Sequence, residues 1–143
     1  MNGISRLQRI GALLGGALAL AAGAAAAQAG PADPAALVLR AAVHSPFAER
    51  SMILDATRAG ARLVAVGERG VVLLSDDHGA SWRQATTVAA DATLTAVSFA
   101  DERLGWAVGH QGVILHSADG GESWSVQRTD TAEDRPLFAV HFT

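Results

Sequence analysis

Cysteine, tyrosine and lysine are all absent from the 143-residue sequence, and aromatic residues make up only 5% of it. Without cysteine there is no disulfide, no zinc–thiolate site, no thiol nucleophile, and no residue for lipid attachment after export. Without tyrosine no phenol is available as a nucleophile. Every positive charge is an arginine, 11 in all against 14 acidic residues. An acidic balance of this kind argues against a nucleic-acid partner. Proline is scarce, with 4 residues, three of them before position 50. The one long hydrophobic run lies near the start and is built almost wholly from Ala, Leu and Gly.

That run has the layout of a secretory signal peptide over residues 1–29. Arg6 and Arg9 precede the apolar stretch Ile10 to Ala26, and Ala27-Gln28-Ala29 forms a small-x-small cleavage site, placing the cut between Ala29 and Gly30. An uncleaved anchor is the alternative, because the run is nearly long enough to span a bilayer. Its Ala/Gly content and its cleavage site favour removal, leaving an exported chain, periplasmic or secreted, that does not span the membrane. The 143 residues less 29 leave 114. With the two leader arginines gone, 9 Arg face 14 acidic residues, a formal charge of −5.

Residues 30–50 form a Pro/Ala-rich lead-in bracketed by Pro31, Pro34 and Pro46. Within it Leu37 to Val43 fits either a short strand or a turn or two of helix, since periodicity does not settle so short a run.

Beyond the lead-in the sequence repeats itself. Ser75-Asp76-Asp77-His78-Gly79-Ala80-Ser81-Trp82 returns as Ser117-Ala118-Asp119-Gly120-Gly121-Glu122-Ser123-Trp124, a shared Ser-x-Asp-x-Gly-x-Ser-Trp at an offset of 42. The same offset carries Gly67 onto Gly109, Gly70 onto Gly112, Val71 onto Val113 and Leu73 onto Leu115. Each conserved type has a physical use in a turn. Asp77 and Asp119 accept backbone N–H groups, with Ser75, Ser81, Ser117 and Ser123 doing so more weakly. Gly79 and Gly121 allow positive φ, and Trp82 and Trp124 each bring a large ring to bury and one N–H to satisfy.

Short apolar runs between these turns read as strands: 51–57, 62–67, 71–75 and 81–86, then 94–100, 104–109, 113–117 and 123–128. Four strands in about 42 residues is the period of a propeller blade. The turns Gly67-Glu68-Arg69-Gly70 and Gly109-His110-Gln111-Gly112 are tight hairpins rather than RNA-clamping loops, because both flanks are strand-like. Leu137 to Phe142 echoes Leu94 to Phe99 as the first strand of a third unit. The expected fold is therefore all-β, two four-stranded antiparallel blades at 51–90 and 91–132 and the start of a third at 136–143. Propellers close with four to eight blades, at least about 170 residues, so an incomplete ring is expected, with exposed edges that invite self-association.

Catalytic chemistry is thin. The five histidines do not recur in register and lack the spacing of a metal site. The acid pairs Asp76–Asp77 and Asp101–Glu102 are adjacent in sequence, which splits them between faces of a strand or leaves them solvated on a turn. No G-x-S-x-G elbow is present. No cofactor is expected.

The repeated octapeptide resembles the Asp box of sialidases and related β-propellers, where it lies on the turn between the third and fourth strands of a blade, away from the catalytic centre. The fuller repeat, with Leu94-Thr95-Ala96-Val97-Ser98-Phe99, Gly105-Trp106-Ala107-Val108-Gly109, Gly112-Val113-Ile114-Leu115 and Asp119-Gly120-Gly121-Glu122-Ser123-Trp124, resembles the photosystem II stability/assembly factor family of bacterial and plastid propellers. The first unit departs from it, with Leu63-Val64 for Gly-Trp and Asp77-His78-Gly79 for Asp-Gly-Gly. The resemblance implies an exported, non-enzymatic scaffold whose partner is a membrane-protein complex or assembly intermediate. The alternative is the first part of a glycan-active propeller of the sialidase or xyloglucan hydrolase type, a reading weakened by the missing tyrosine.

Overall fold

The computed structural model describes residues 40–129 and 135–143; the leader and its cleavage site lie outside the described residues. Nine strands follow in order: β1 Ile53–Ala59, β2 Arg62–Gly67, β3 Val72–Ser75, β4 Arg83–Gln84, β5 Thr87–Val88, β6 Leu94–Phe99, β7 Gly105–Gly109, β8 Ile114–Ser117 and β9 Ser123–Arg128. Helical structure among the described residues is limited to three-residue 3-10 turns. The strands form two meanders, β1-β2-β3-β4 and β6-β7-β8-β9, with β5 added parallel to the outside of β9. The architecture is all-β, two antiparallel four-stranded blades packed face to face.

Alternation along the strands decides which side chains meet. Val64 and Val66 of β2 and Val72 and Leu74 of β3 point from the first blade toward the second, all fully buried. They pack against Leu94, Val97, Ala107, Val113, Leu115 and Trp124 in one cluster. Each fully buried Val or Leu contributes about 1.5–3 kcal/mol. Exposed ion pairs contribute about 0–1 kcal/mol each, so the apolar junction dominates blade association. The opposite face of the first blade gathers a smaller cluster of Ala65, Val71 and Leu73, with Trp82 against it and Ala48 of the lead-in on top.

The hairpins between second and third strands each need glycine at their start for space. A Cβ on Gly67 would lie 2.0 Å from the Met52 carbonyl oxygen, and one on Gly109 would lie 2.0 Å from that of Thr93. The blade's first strand therefore crosses directly beneath its second turn. Glu68 N–H and His110 N–H fasten it there by bonding the same two carbonyls, at 3.1 and 2.9 Å.

Three expectations change. The run 81–86 is not one strand: only Arg83–Gln84 pairs with β3, and Thr87–Val88 pairs with β9 of the next blade. The chain hands over early because the Glu122 carbonyl accepts the Thr86 N–H at 2.8 Å, drawing residue 86 to the neighbouring sheet. Second, Leu137 to Phe142 forms no ladder. It lies beside β6 and β7 through Leu137 N–H to Gly109 O (3.0 Å), the Thr95 hydroxyl to Leu137 O, and Phe142 N–H to Ser98 Oγ (3.3 Å). In both preceding units the first strand pairs with the second strand of its own blade, and no such partner strand lies beside 137–142 among the described residues. Third, residues 40–43 of the ambiguous lead-in run are neither helix nor strand; residues 37–39 lie outside the described residues.

Candidate functional site

Both Asp boxes sit between the third and fourth strands of their blades, at the same end of the molecule. In the first, Ser75 Oγ donates to Asp77 Oδ1 (2.8 Å) and accepts Gly79 N–H (2.7 Å). Asp77 accepts the Ser81 N–H (2.8 Å) and the Ser81 hydroxyl (2.5 Å) on its two oxygens. In the second, Ser117 Oγ donates to Asp119 (2.8 Å) and accepts Gly121 N–H (2.9 Å), while Asp119 accepts the Ser123 N–H (2.9 Å) and hydroxyl. Gly79 and Gly121 turn the chain with φ of 91° and 90°. The Ser hydroxyls and the Asp77 and Asp119 carboxylates of the boxes are thus spent on the turns themselves.

The two indoles end in different surroundings. Trp124 is 2% exposed, donates Nε1–H to Gly121 O at 2.8 Å, and meets Phe99 edge-to-face with centroids 5.9 Å apart. Trp82 is only half-buried, at the edge of the smaller cluster.

Hydrogen bonding sets the charge state of these acids. The Ser81 hydroxyl, then the Ser81 N–H and the Ser75 hydroxyl, hold Asp77 down to about 2. At Asp119 burial is the largest influence and pushes the carboxyl up, but the Ser123 hydroxyl and N–H together with the Ser117 hydroxyl outweigh it, and the net direction is down. Asp76 is lowered chiefly by its hydrogen bond from Arg62, and Asp101 by the N–H groups of Leu104 and Arg103. A general acid at neutral pH needs a carboxyl raised toward 6 or 7. These four carboxylates are tuned the opposite way.

Asp76 and Asp77, adjacent in sequence, serve different neighbours. Asp77 closes its own turn, whereas Asp76 binds Arg62 Nε (2.5 Å) and Arg83 Nη2 (3.2 Å). Those arginines also reach across the junction: Arg83 Nη1 bonds Glu122 Oε2 at 2.9 Å, and Arg62 Nη1 lies 3.2 Å from Glu122 Oε1 and bonds Gly120 O at 3.1 Å. This network escapes a reading by repeats. At an offset of 42, Arg62, Asp76 and Arg83 meet Leu104, Ala118 and Ser125, and Glu122 meets Ala80, so none of the four recurs. Beside the network an open depression of about 620 Å³ is lined by Arg58, Gly60, Phe99, Asp101, Glu102 and Arg103.

The histidines disperse. His44 Nε2 contacts Thr86 O (3.0 Å), His116 lies 4.8 Å from the Trp106 ring, and His78 occupies the left-handed region at φ 61°. Among the described residues no three His, Asp or Glu side chains converge as a metal site, and no helix is long and apolar enough to cross a membrane.

Residues 84–142 match the family model described as photosynthesis system II assembly factor YCF48. No curated protein matches the chain. Nine chains of solved structures do, among them YCF48 bound to D1 peptide, with 30% identity and a TM-score of 0.52. That alignment covers 66% of this chain and 31% of the solved one, so the present residues span about a third of its length. Repeat, blade architecture and comparisons together show an incomplete β-propeller that is similar to the photosystem II assembly factors.

Proposed function

We propose that this chain is an exported, non-enzymatic propeller scaffold that holds a segment of a membrane-protein partner and assists its assembly. The observation that carries the reading is the solved relative, which is 30% identical over the matched part of this chain and is bound to a D1 peptide. The acids fit the non-enzymatic part: Asp76, Asp77, Asp101 and Asp119 are all held ionised by hydrogen bonds, which suits turns and not proton transfer. The leader over residues 1–29 supports export. The exposed apolar side chains at the start of the first blade, Met52 at 62% and Leu54 at 45%, support self-association.

The test is titration of a fluorescently labelled D1 peptide with residues 30–143, followed by anisotropy. Saturable binding, displaced by unlabelled peptide and absent with a scrambled one, is the expected result. No binding by protein whose circular dichroism shows folded β-structure would overturn the partner reading. Turnover of aryl sialosides or xyloglucan fragments would overturn the non-enzymatic one. For export, N-terminal sequencing of the periplasmic or secreted form is expected to start at Gly30.

A further inference from the structure

We propose that Asp55 is the fastener between the first strands of the two blades, tying β1 to β6 through a side chain where no backbone ladder joins them, and so positions the second blade on the first. β1 and β6 are the end strands of their sheets, and they run beside each other without pairing. The apolar junction draws its first-blade members mainly from the second and third strands, with Val64, Val66, Val72 and Leu74. At the first strands the problem is different. An end strand carries a row of backbone N–H and C=O groups that its own sheet does not use.

Asp55 answers one of them. Its Oδ2 accepts the Val97 N–H of β6 at 2.9 Å, while Oδ1 accepts the Ala56 N–H of its own strand, also at 2.9 Å. Val97 is only 4% exposed, and a buried N–H left without an acceptor is destabilising. An ionised carboxylate has acceptors and no donor, so it satisfies that N–H without continuing a ladder. The two blades therefore stay two sheets at the place where their strands run side by side.

The aim of the carboxylate follows from an irregularity in β1. The β1–β2 register shifts between Ile53 and Asp55, and the β6–β7 register shifts at the matching place, between Leu94 and Ala96. A shift of this kind leaves one residue unpaired, bends the strand and re-aims a side chain. Asp55 opposite Val66 and Ala96 opposite Val108 are equivalent positions, and only the first carries a carboxylate. On β6 the polar group is Thr95, inside the shift, whose hydroxyl meets Leu137 O, and Ser98 Oγ accepts the Phe142 N–H at 3.3 Å. Residues 137–142 form no ladder either, so β6 also meets its neighbour through side chains.

The test does not involve peptide binding. In isotope-labelled protein, nuclear magnetic resonance is expected to show a scalar coupling across the hydrogen bond between the Val97 amide nitrogen and the Asp55 carboxyl carbon. No such coupling in protein whose β6–β7 ladder couplings are resolved would overturn the proposal, and this readout does not depend on any variant folding. Amide hydrogen exchange of Asp55→Ala is expected to be about tenfold faster at Val97, a change of about 1.4 kcal/mol, relative to the Leu74 and Leu115 amides inside the blades. Asp55→Asn, which keeps one acceptor oxygen, is expected to lose less. Exchange at Val97 that is unchanged in Asp55→Ala, or that rises no more than at Leu74 and Leu115, would equally overturn it.

Discussion

The two blades carry the same 42-residue pattern, yet Trp124 is sealed in the core and Trp82 is half-open. The turns that hold them match bond for bond at Ser, Asp and Gly, so the difference does not arise in the box. It arises on the far side of the ring. Trp124 has the first blade and Phe99 against it, whereas Trp82, among the described residues, packs against the small cluster of Ala48, Ala65, Val71 and Leu73. A repeat encodes its own unit, and the neighbours decide how much of that unit is buried.

The sharpest way to break the comparison is to truncate the two indoles. Trp124→Ala is expected to lose about 3–5 kcal/mol and Trp82→Ala about 1–2 kcal/mol, measured by urea denaturation. Equal losses would mean that the small cluster around Leu73 holds Trp82 as firmly as the blade junction holds Trp124.

Acid comes next, because it acts on both boxes at once. Asp77 has a folded value of about 2 against an ordinary 3.8, and Asp76, Asp119 and Glu122 are shifted in the same direction. The folded chain therefore binds these protons less readily than the unfolded one. The stability they contribute is fully present above about pH 5, past the ordinary 4.5 of Glu122, and is lost as pH falls through 3.8 toward 2. Melting temperatures from pH 7 to pH 2 are expected to be level first and then to drop, with Asp77→Asn reducing the size of the drop.

The junction network gives a smaller effect. Arg83→Glu and Glu122→Arg are each expected to destabilise, and the double swap to recover a coupling of about 0.5–1 kcal/mol, since the partners are half-exposed. Molar salt, with a screening length of about 3 Å, should reduce that coupling. No recovery in the double variant would remove the pair from the account of blade order.

The finest contrast lies at the box position where one blade has His78 at φ 61° and the other Gly120 at φ 71°. A left-handed side chain costs about 1–2 kcal/mol, and glycine returns about 0.5–1 kcal/mol of that through its freer unfolded state. His78→Gly is thus expected to gain about 0.5 kcal/mol, and Gly120→His to lose a similar amount, read as opposite shifts in melting temperature.

What the sequence determined by itself is the unit. The 42-residue offset, the turn pairs Gly67/Gly109 and Gly79/Gly121, and the apolar runs give blade strands, and β2 and β9 span the same residues that alternation and turn signals mark out. These features are local: the box bonds join residues two and four apart, and strand alternation needs only a neighbour. Tertiary structure decided the rest. It split 81–88 between two sheets, left 137–142 without a ladder, brought Arg62 and Arg83 to Glu122 across 60 and 39 residues of chain, and laid Ala48 on Leu73. Each of those outcomes depends on which surface is brought alongside from a distant part of the chain. A strand's ladder partner, an indole's burial and an arginine's counter-ion are properties of a pair, and a repeat read one unit at a time carries only one member of each.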